Sequence, residues 1–253
     1  MTTSSGSRFL KAGEGTGLPR IVYLVTNRRL CRDQGQTLVK VTKQALAAGL
    51  VAVQLREKDL PGGKLYRLAL QLRQLAHEYN TLFLVNDRVD IALAVGADGV
   101  HLGQKSLPPP VARELLGSEK VIGVSVHSLA EARAAAAAGA DYLLAGHVFA
   151  TPSKPGVAGR GTGFVREIAA AVGIPVVAIG GISNTNVVQL ENSGVAAVAV
   201  MSAVMGAKDP ALEVSKLQLA GEGFFKGLEC LRKGSTLETR GCKITSQQKG
   251  GSL

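Results

Sequence analysis

Aromatic residues make up only 4% of the 253-residue chain, and its apolar runs stop at about eight residues before a Gly, a Pro or a charge. A membrane-spanning helix needs roughly 18 or more apolar residues in a row, so none is expected. Residues 1–20 lack the apolar centre of a signal peptide, and the cytoplasm is the expected address. Cysteine is scarce too. Cys31, Cys230 and Cys242 are odd in number and without metal-ligand spacing, which argues against a disulfide framework and a zinc site. Acidic residues are outnumbered, 19 against 29 Lys and Arg, and the net charge of +10 suggests an anionic partner. With so few aromatics, however, nucleic-acid bases would find little to stack on, and the cations are scattered rather than interleaved with rings. Small anions, phosphates in particular, are therefore expected instead of nucleic acid.

What is present is ample apolar content, 46%, arranged in a strict alternation. Short apolar runs at 21–26, 51–55, 81–85, 99–102, 121–126, 142–148, 175–179 and 197–201 read as strands. Stretches with helical spacing lie between and after them, at 37–48, 63–78, 89–95, 109–116, 129–138, 164–172, 184–192 and 210–220. Gly49, Gly96, Gly139 and Gly194 sit where helices hand over to strands. Eight strands alternating with eight helices in about 250 residues is the arithmetic of a single-domain α/β (β/α)8 TIM barrel. A doubly wound open sheet is the alternative, because the pattern does not reveal closure. The barrel is expected over residues 20–220, after a flexible Gly/Ser/Thr-rich lead at 1–19. A polar tail at 221–253 is expected to be disordered or to carry one short helix around 224–231.

In such a barrel the chemistry gathers at the C-terminal strand ends. After the second run, Gln54, Arg56 and Lys58 point the same way at a period of two, giving two cations and an amide for an anion. After the third comes Asn86-Asp87-Arg88, where Asp87 could ligate Mg²⁺, pair with Arg88 or, the commonest use, cap the next helix. His101 lies within the fourth run and is expected to be structural. Ser125 and His127 share a face of the fifth, although His127 could equally belong to the next helix start. The sixth run breaks into a loop carrying His147, Thr151, Ser153 and Lys154. Gly180-Gly181 after the seventh and Met201-Ser202 after the eighth offer backbone N–H groups for a phosphate.

Together, residues 54–58, Asn86-Asp87-Arg88, 98–104, 125–127, 146–154 and 178–182 resemble the superfamily of thiamine phosphate synthase and thiazole tautomerase, over about residues 20–208. The resemblance implies a (β/α)8 barrel and a small substrate, a thiazole carrying an ethyl phosphate, with a homo-oligomer left open. The synthase joins an aminopyrimidine diphosphate to the thiazole phosphate with help from Mg²⁺. Its pattern has one Asp in Asn-Asp-Arg and a second after His-Leu-Gly-Gln. Here Asp87 is kept, but Lys105-Ser106 stand at the second place. Gly146-His147 replaces the Gly-Pro of synthases and resembles the tautomerase, whose acid/base is that histidine. The expectation is therefore an isomerase, a thiazole tautomerase, needing neither metal nor other cofactor. In it His147 shuttles the proton and Gln54, Arg56, Lys58, Asn86, Ser125, Thr151, Ser153, Lys154, Gly180, Gly181, Met201 and Ser202 bind substrate. The alternatives are the synthase, with Mg²⁺ on Asp87, and a non-catalytic sensor of a thiamine intermediate.

Overall fold

The computed structural model describes residues 20–221. The expected lead at 1–19, the helix around 224–231, and Cys230 and Cys242 lie outside the described residues.

Eight parallel strands form a closed ring in chain order: β1 (Val22–Val25), β2 (Ala52–Leu55), β3 (Leu82–Asn86), β4 (Gly99–Leu102), β5 (Val121–Val126), β6 (Tyr142–Gly146), β7 (Val176–Ile179) and β8 (Ala197–Val200). Closure is made by β1 against β8, with Val22 opposite Val198 and Leu24 opposite Val200. The open-sheet alternative is thereby excluded, and the chain forms a single-domain (β/α)8 TIM barrel.

The helices are α1 (Arg28–Asp33), α2 (Leu38–Ala47), α3 (Gly62–Glu78), α4 (Val89–Val95), α5 (Pro109–Leu116), α6 (Leu129–Ala137), α7 (Gly161–Ala171), α8 (Ser202–Met205) and α9 (Pro210–Ala220). Their starts follow from local chemistry. In α2, Thr37 accepts from the Lys40 N–H at the N-cap, and Leu38, Val41, Thr42, Ala45 and Leu46 form its buried stripe at helical spacing. At α6, Ser128 accepts from the Glu131 N–H while the Glu131 carboxylate accepts from the His127 N–H. None of the described helices is long and apolar enough to cross a membrane.

Alternation along each strand divides the core in two. Val22, Leu24, Val53, Leu55, Phe83 and Val85 face the helices, whereas Tyr23, Val25, Leu84, Tyr142, Leu144 and Val177 fill the barrel. Both faces are buried, so the strands read as nearly continuous apolar runs.

Three expectations are corrected. A helix at 184–192 is only one 3₁₀ turn, Val187–Leu190. The Asn186 side chain accepts from the Ser183 N–H and donates to the Gly181 carbonyl, competing with helical pairing. The sixth strand ends at Gly146 rather than 148, although the Val148 and Phe149 N–H groups still donate to Ile179 and Gly180 carbonyls. Finally, α1 and α8 were not expected, since elements of six and four residues are too short to show a period.

Candidate active site

The C-terminal strand ends enclose a cavity of about 460 Å³. Gln54, Arg56, Asn86, Ser125, His147, Thr151, Ser153, Lys154, Gly180, Gly181, Met201 and Ser202 all line it. Asn27, His101 and His127 join them. Asn27 escaped the sequence reading because it follows the first strand without a recognisable motif.

Lys58 is the exception. It lines a neighbouring hollow with Asp87 and Arg88. The period of two that would aim it with Gln54 and Arg56 ends where β2 ends, at Leu55, and a turn closed by the Leu60 N–H on the Glu57 carbonyl redirects it. Its ammonium lies 3.4 Å from the Asp87 carboxylate.

Arg56 is held by a network with no signature in the sequence. Its N–H donates to the Thr26 hydroxyl at 2.9 Å, and that hydroxyl donates to the buried Glu57 carboxylate at 2.9 Å. Arg28 donates to Glu57 at 2.8 Å and, through two nitrogens, to Asp59 at 2.6 and 2.7 Å. The first two strand-to-helix loops are thus tied together by charge-assisted bonds.

Asp87 does not cap α4: the capping position is Arg88, which makes no side-chain capping bond and pairs with Asp90 instead. The Asp87 carboxylate accepts from the Gly103 N–H at 3.2 Å, from the Ser106 hydroxyl, and from the Asn86 amide at 2.6 Å. Partial burial works to raise its pKa, but the Ser106 and Gly103 bonds and Lys58 outweigh burial and hold it below the usual carboxylate value. The expected obstacle of a cation at Lys105 also changes. A turn closed by the Ser106 N–H on the Gly103 carbonyl brings Ser106 to Asp87 and leaves Lys105 exposed.

On the far side, β3 and β7 are four strands apart in a ring of eight, so their ends form opposite walls. Gly180 and Gly181 adopt φ of 104° and 65°. A Cβ on Gly180 would lie 2.3 Å from that of His147, and one on Gly181 2.3 Å from the Ala150 carbonyl oxygen. Only glycine permits this approach of the β7 end to the β6 loop. Ser202 begins α8 at the same wall, where the first N–H groups of a helix have no intrahelical acceptor.

His147 is buried, 6% exposed; its Nε2 lies 3.3 Å from the Val157 carbonyl oxygen, and its Nδ1 has no hydrogen-bond partner. The Arg160 N–H returns to the His147 carbonyl at 3.0 Å, closing the loop that carries Thr151, Ser153 and Lys154. His127 serves both suggested places, lining the cavity and preceding the Ser128 cap. Partial burial, followed by the Lys154 cation, lowers its pKa. His101 is satisfied on both ring nitrogens, as a structural histidine should be, yet it also lines the cavity.

A closed barrel whose mouth is lined by Arg56 and Lys154, with the glycine backbone of Gly180 and Gly181 in one wall, belongs to the class of (β/α)8 barrels with polar, cation-bearing mouths. The family model described as thiamine monophosphate synthase matches residues 22–204, and the chain belongs to that family. It is 47% identical to the thiamine-phosphate synthase of Moorella thermoacetica over 199 residues, 78% of this chain and 93% of that one. With the thiamine-phosphate synthase of Pyrococcus abyssi the identity is 48% over 188 residues, 74% and 88% of the two chains. The solved thiamine phosphate pyrophosphorylase of Pyrococcus furiosus superposes with a TM-score of 0.74 at 43% identity, covering 81% of this chain and 96% of that one.

These likenesses overturn the expectation of a thiazole tautomerase, and with it that of an isomerase. The proton shuttle expected of His147 was argued for that reaction. Two local departures, His147 and Lys105-Ser106, pointed to the tautomerase, against the rest of the barrel. The structure removes the force of the second, because Lys105 does not occupy the position facing Asp87.

Proposed function

We propose that this protein is a thiamine-phosphate synthase, a transferase that joins an aminopyrimidine carrying a methylene diphosphate to a thiazole carrying an ethyl phosphate. The observation that carries this reading is identity above 40%, across nearly the whole barrel, to relatives bearing that name. The geometry supports it. Two phosphorylated substrates need two anion subsites, a need supported by Arg56 on one side of the mouth and the Gly180-Gly181 backbone on the other.

The diphosphate would lie toward Arg56 and reach past Asn86, which both hollows share, to Lys58 and Asp87, with the monophosphate on the backbone of Gly180, Gly181 and Ser202. The reaction forms a bond from the thiazole nitrogen to the pyrimidine methylene carbon and breaks that carbon's bond to the diphosphate oxygen. Positive charge around the departing diphosphate stabilises the transition state, and anchoring both phosphates holds the reacting atoms in line.

A divalent cation would neutralise the leaving group further. Mg²⁺ is commonly bound by one or two carboxylates together with substrate phosphates, and Asp87 meets that minimum, with the Ser106 hydroxyl beside it. Among the described residues, no group of three or more His, Cys, Asp or Glu stands ready to hold a metal. Asp87 would therefore share the ion with the diphosphate rather than hold it alone.

Incubation with both substrates and Mg²⁺, followed by chromatography, tests the proposal. Thiamine phosphate and diphosphate should appear in equal amounts. Binding of either substrate without product would select the sensor reading instead.

A further inference from the structure

Beneath the cavity, five polar side chains from five strands make an unbroken line of hydrogen bonds through an otherwise apolar barrel. Gln54 Nε2 on β2 lies 2.9 Å from the Tyr23 hydroxyl on β1, which lies 2.9 Å from the Tyr142 hydroxyl on β6. Tyr142 is 2.9 Å from His101 Nδ1 on β4, and His101 Nε2 is 2.8 Å from the Ser125 hydroxyl on β5. Both ends, Gln54 and Ser125, line the cavity, whereas the two tyrosines are wholly buried.

The barrel is shaped around this line. A Cβ on Gly123 would lie 2.0 Å from the Tyr142 ring, so the neighbouring strand gives up a side chain to admit it. Phenylalanine at both places would keep the packing but take these partners from the buried Gln54 amide and the His101 ring, so the hydroxyls act on those two side chains as well as filling space.

Burial raises the pKa of both tyrosines and lowers that of His101 to about 3. All five groups are therefore neutral near pH 7, and the line orders dipoles rather than charge. One direction, carried on from the Gln54 donor, satisfies every group in turn. The Gln54 nitrogen donates to Tyr23, Tyr23 to Tyr142, and Tyr142 to His101 Nδ1. The neutral ring then carries its proton on Nε2 and donates it to Ser125.

We propose that Tyr23 and Tyr142 are positioning residues, fixing the Gln54 amide as a hydrogen-bond acceptor and the Ser125 hydroxyl as a donor toward a heterocycle in the cavity. One acceptor and one donor lining the same cavity match a ring bearing an amino group and an unprotonated nitrogen. Assigning that ring to the aminopyrimidine rests on the synthase reading.

The test is NMR of the full-length protein labelled with ¹⁵N-histidine, on the wild type and on Tyr23→Phe and Tyr142→Phe. The expected wild-type state of His101 is a single tautomer protonated at Nε2, and in both variants a mixture of the two. Protonation at Nδ1 in the wild type would turn both His101 bonds around and would overturn the proposal. So would an unchanged tautomer in Tyr23→Phe, since that hydroxyl is two bonds along the line from the ring. In kinetics, both variants should raise KM for the pyrimidine diphosphate by about fivefold or more and leave KM for the thiazole phosphate unchanged. Equal changes in both would indicate lost packing and refute it. A wild type that turns over neither substrate sinks the synthase reading alone, and the tautomer still decides the direction of the line.

Discussion

Acid should destabilise this protein through one residue in particular. His101 is 2% exposed, and its pKa is lowered to about 3, first by burial and then, against the pull of Asp87, by Arg56 and Lys58. An unfolded histidine titrates near 6.5. The folded pKa is the lower one, so as pH falls below about 6.5 the unfolded chain takes up a proton that the folded protein refuses. The His101 contribution is complete above that value and is lost progressively down to about pH 3. Between pH 7 and pH 5 the loss amounts to about 2 kcal/mol. Urea unfolding at both values, for the wild type and for His101→Gln, isolates it, because His77, His127 and His147 are common to both proteins. The wild type should lose about 2 kcal/mol more than the variant. Equal losses, or a His101 resonance that titrates near pH 6, would refute the argument.

Gly123→Ala should cost about 3 kcal/mol, at the upper end for overpacking, because the Tyr142 ring cannot give way inside a closed barrel; thermal melting measures it. Arg56→Ala should lower kcat/KM for the pyrimidine diphosphate by on the order of 10–100-fold, the worth of a hydrogen bond to a charged group, with little change in melting temperature. Ser106→Asp should let the protein bind Mn²⁺ without substrate, as read by electron paramagnetic resonance, and Asp87→Asn should abolish whatever binding the wild type has. An unchanged Ser106→Asp would show that Asp87 and Ser106 do not face a metal.

Alternation of apolar runs with helical periods was enough to reach the eightfold barrel, because both faces of its strands are buried and its helices show one apolar stripe each. Gly180-Gly181 and the polar residues at strand ends pointed to the mouth for the same reason. A period of two placed Gln54 and Arg56 together, but it misplaced Lys58, because a period holds only while the strand lasts. The same spacing puts Tyr23, Gln54, His101, Ser125 and Tyr142 on inward faces, yet nothing in it says that they touch.

The sequence by itself determined the architecture, the gathering of polar residues at the C-terminal strand ends and the family, since these follow from local periods and motifs that survive without contacts. Only the tertiary structure decided which side chains meet. It turned Ser106 toward Asp87 and Lys105 to solvent, tied Arg28 to Glu57 and Asp59, and joined five strands by one line of hydrogen bonds. Such pairings depend on where turns close and how a barrel shuts, and those are long-range events that no local pattern encodes.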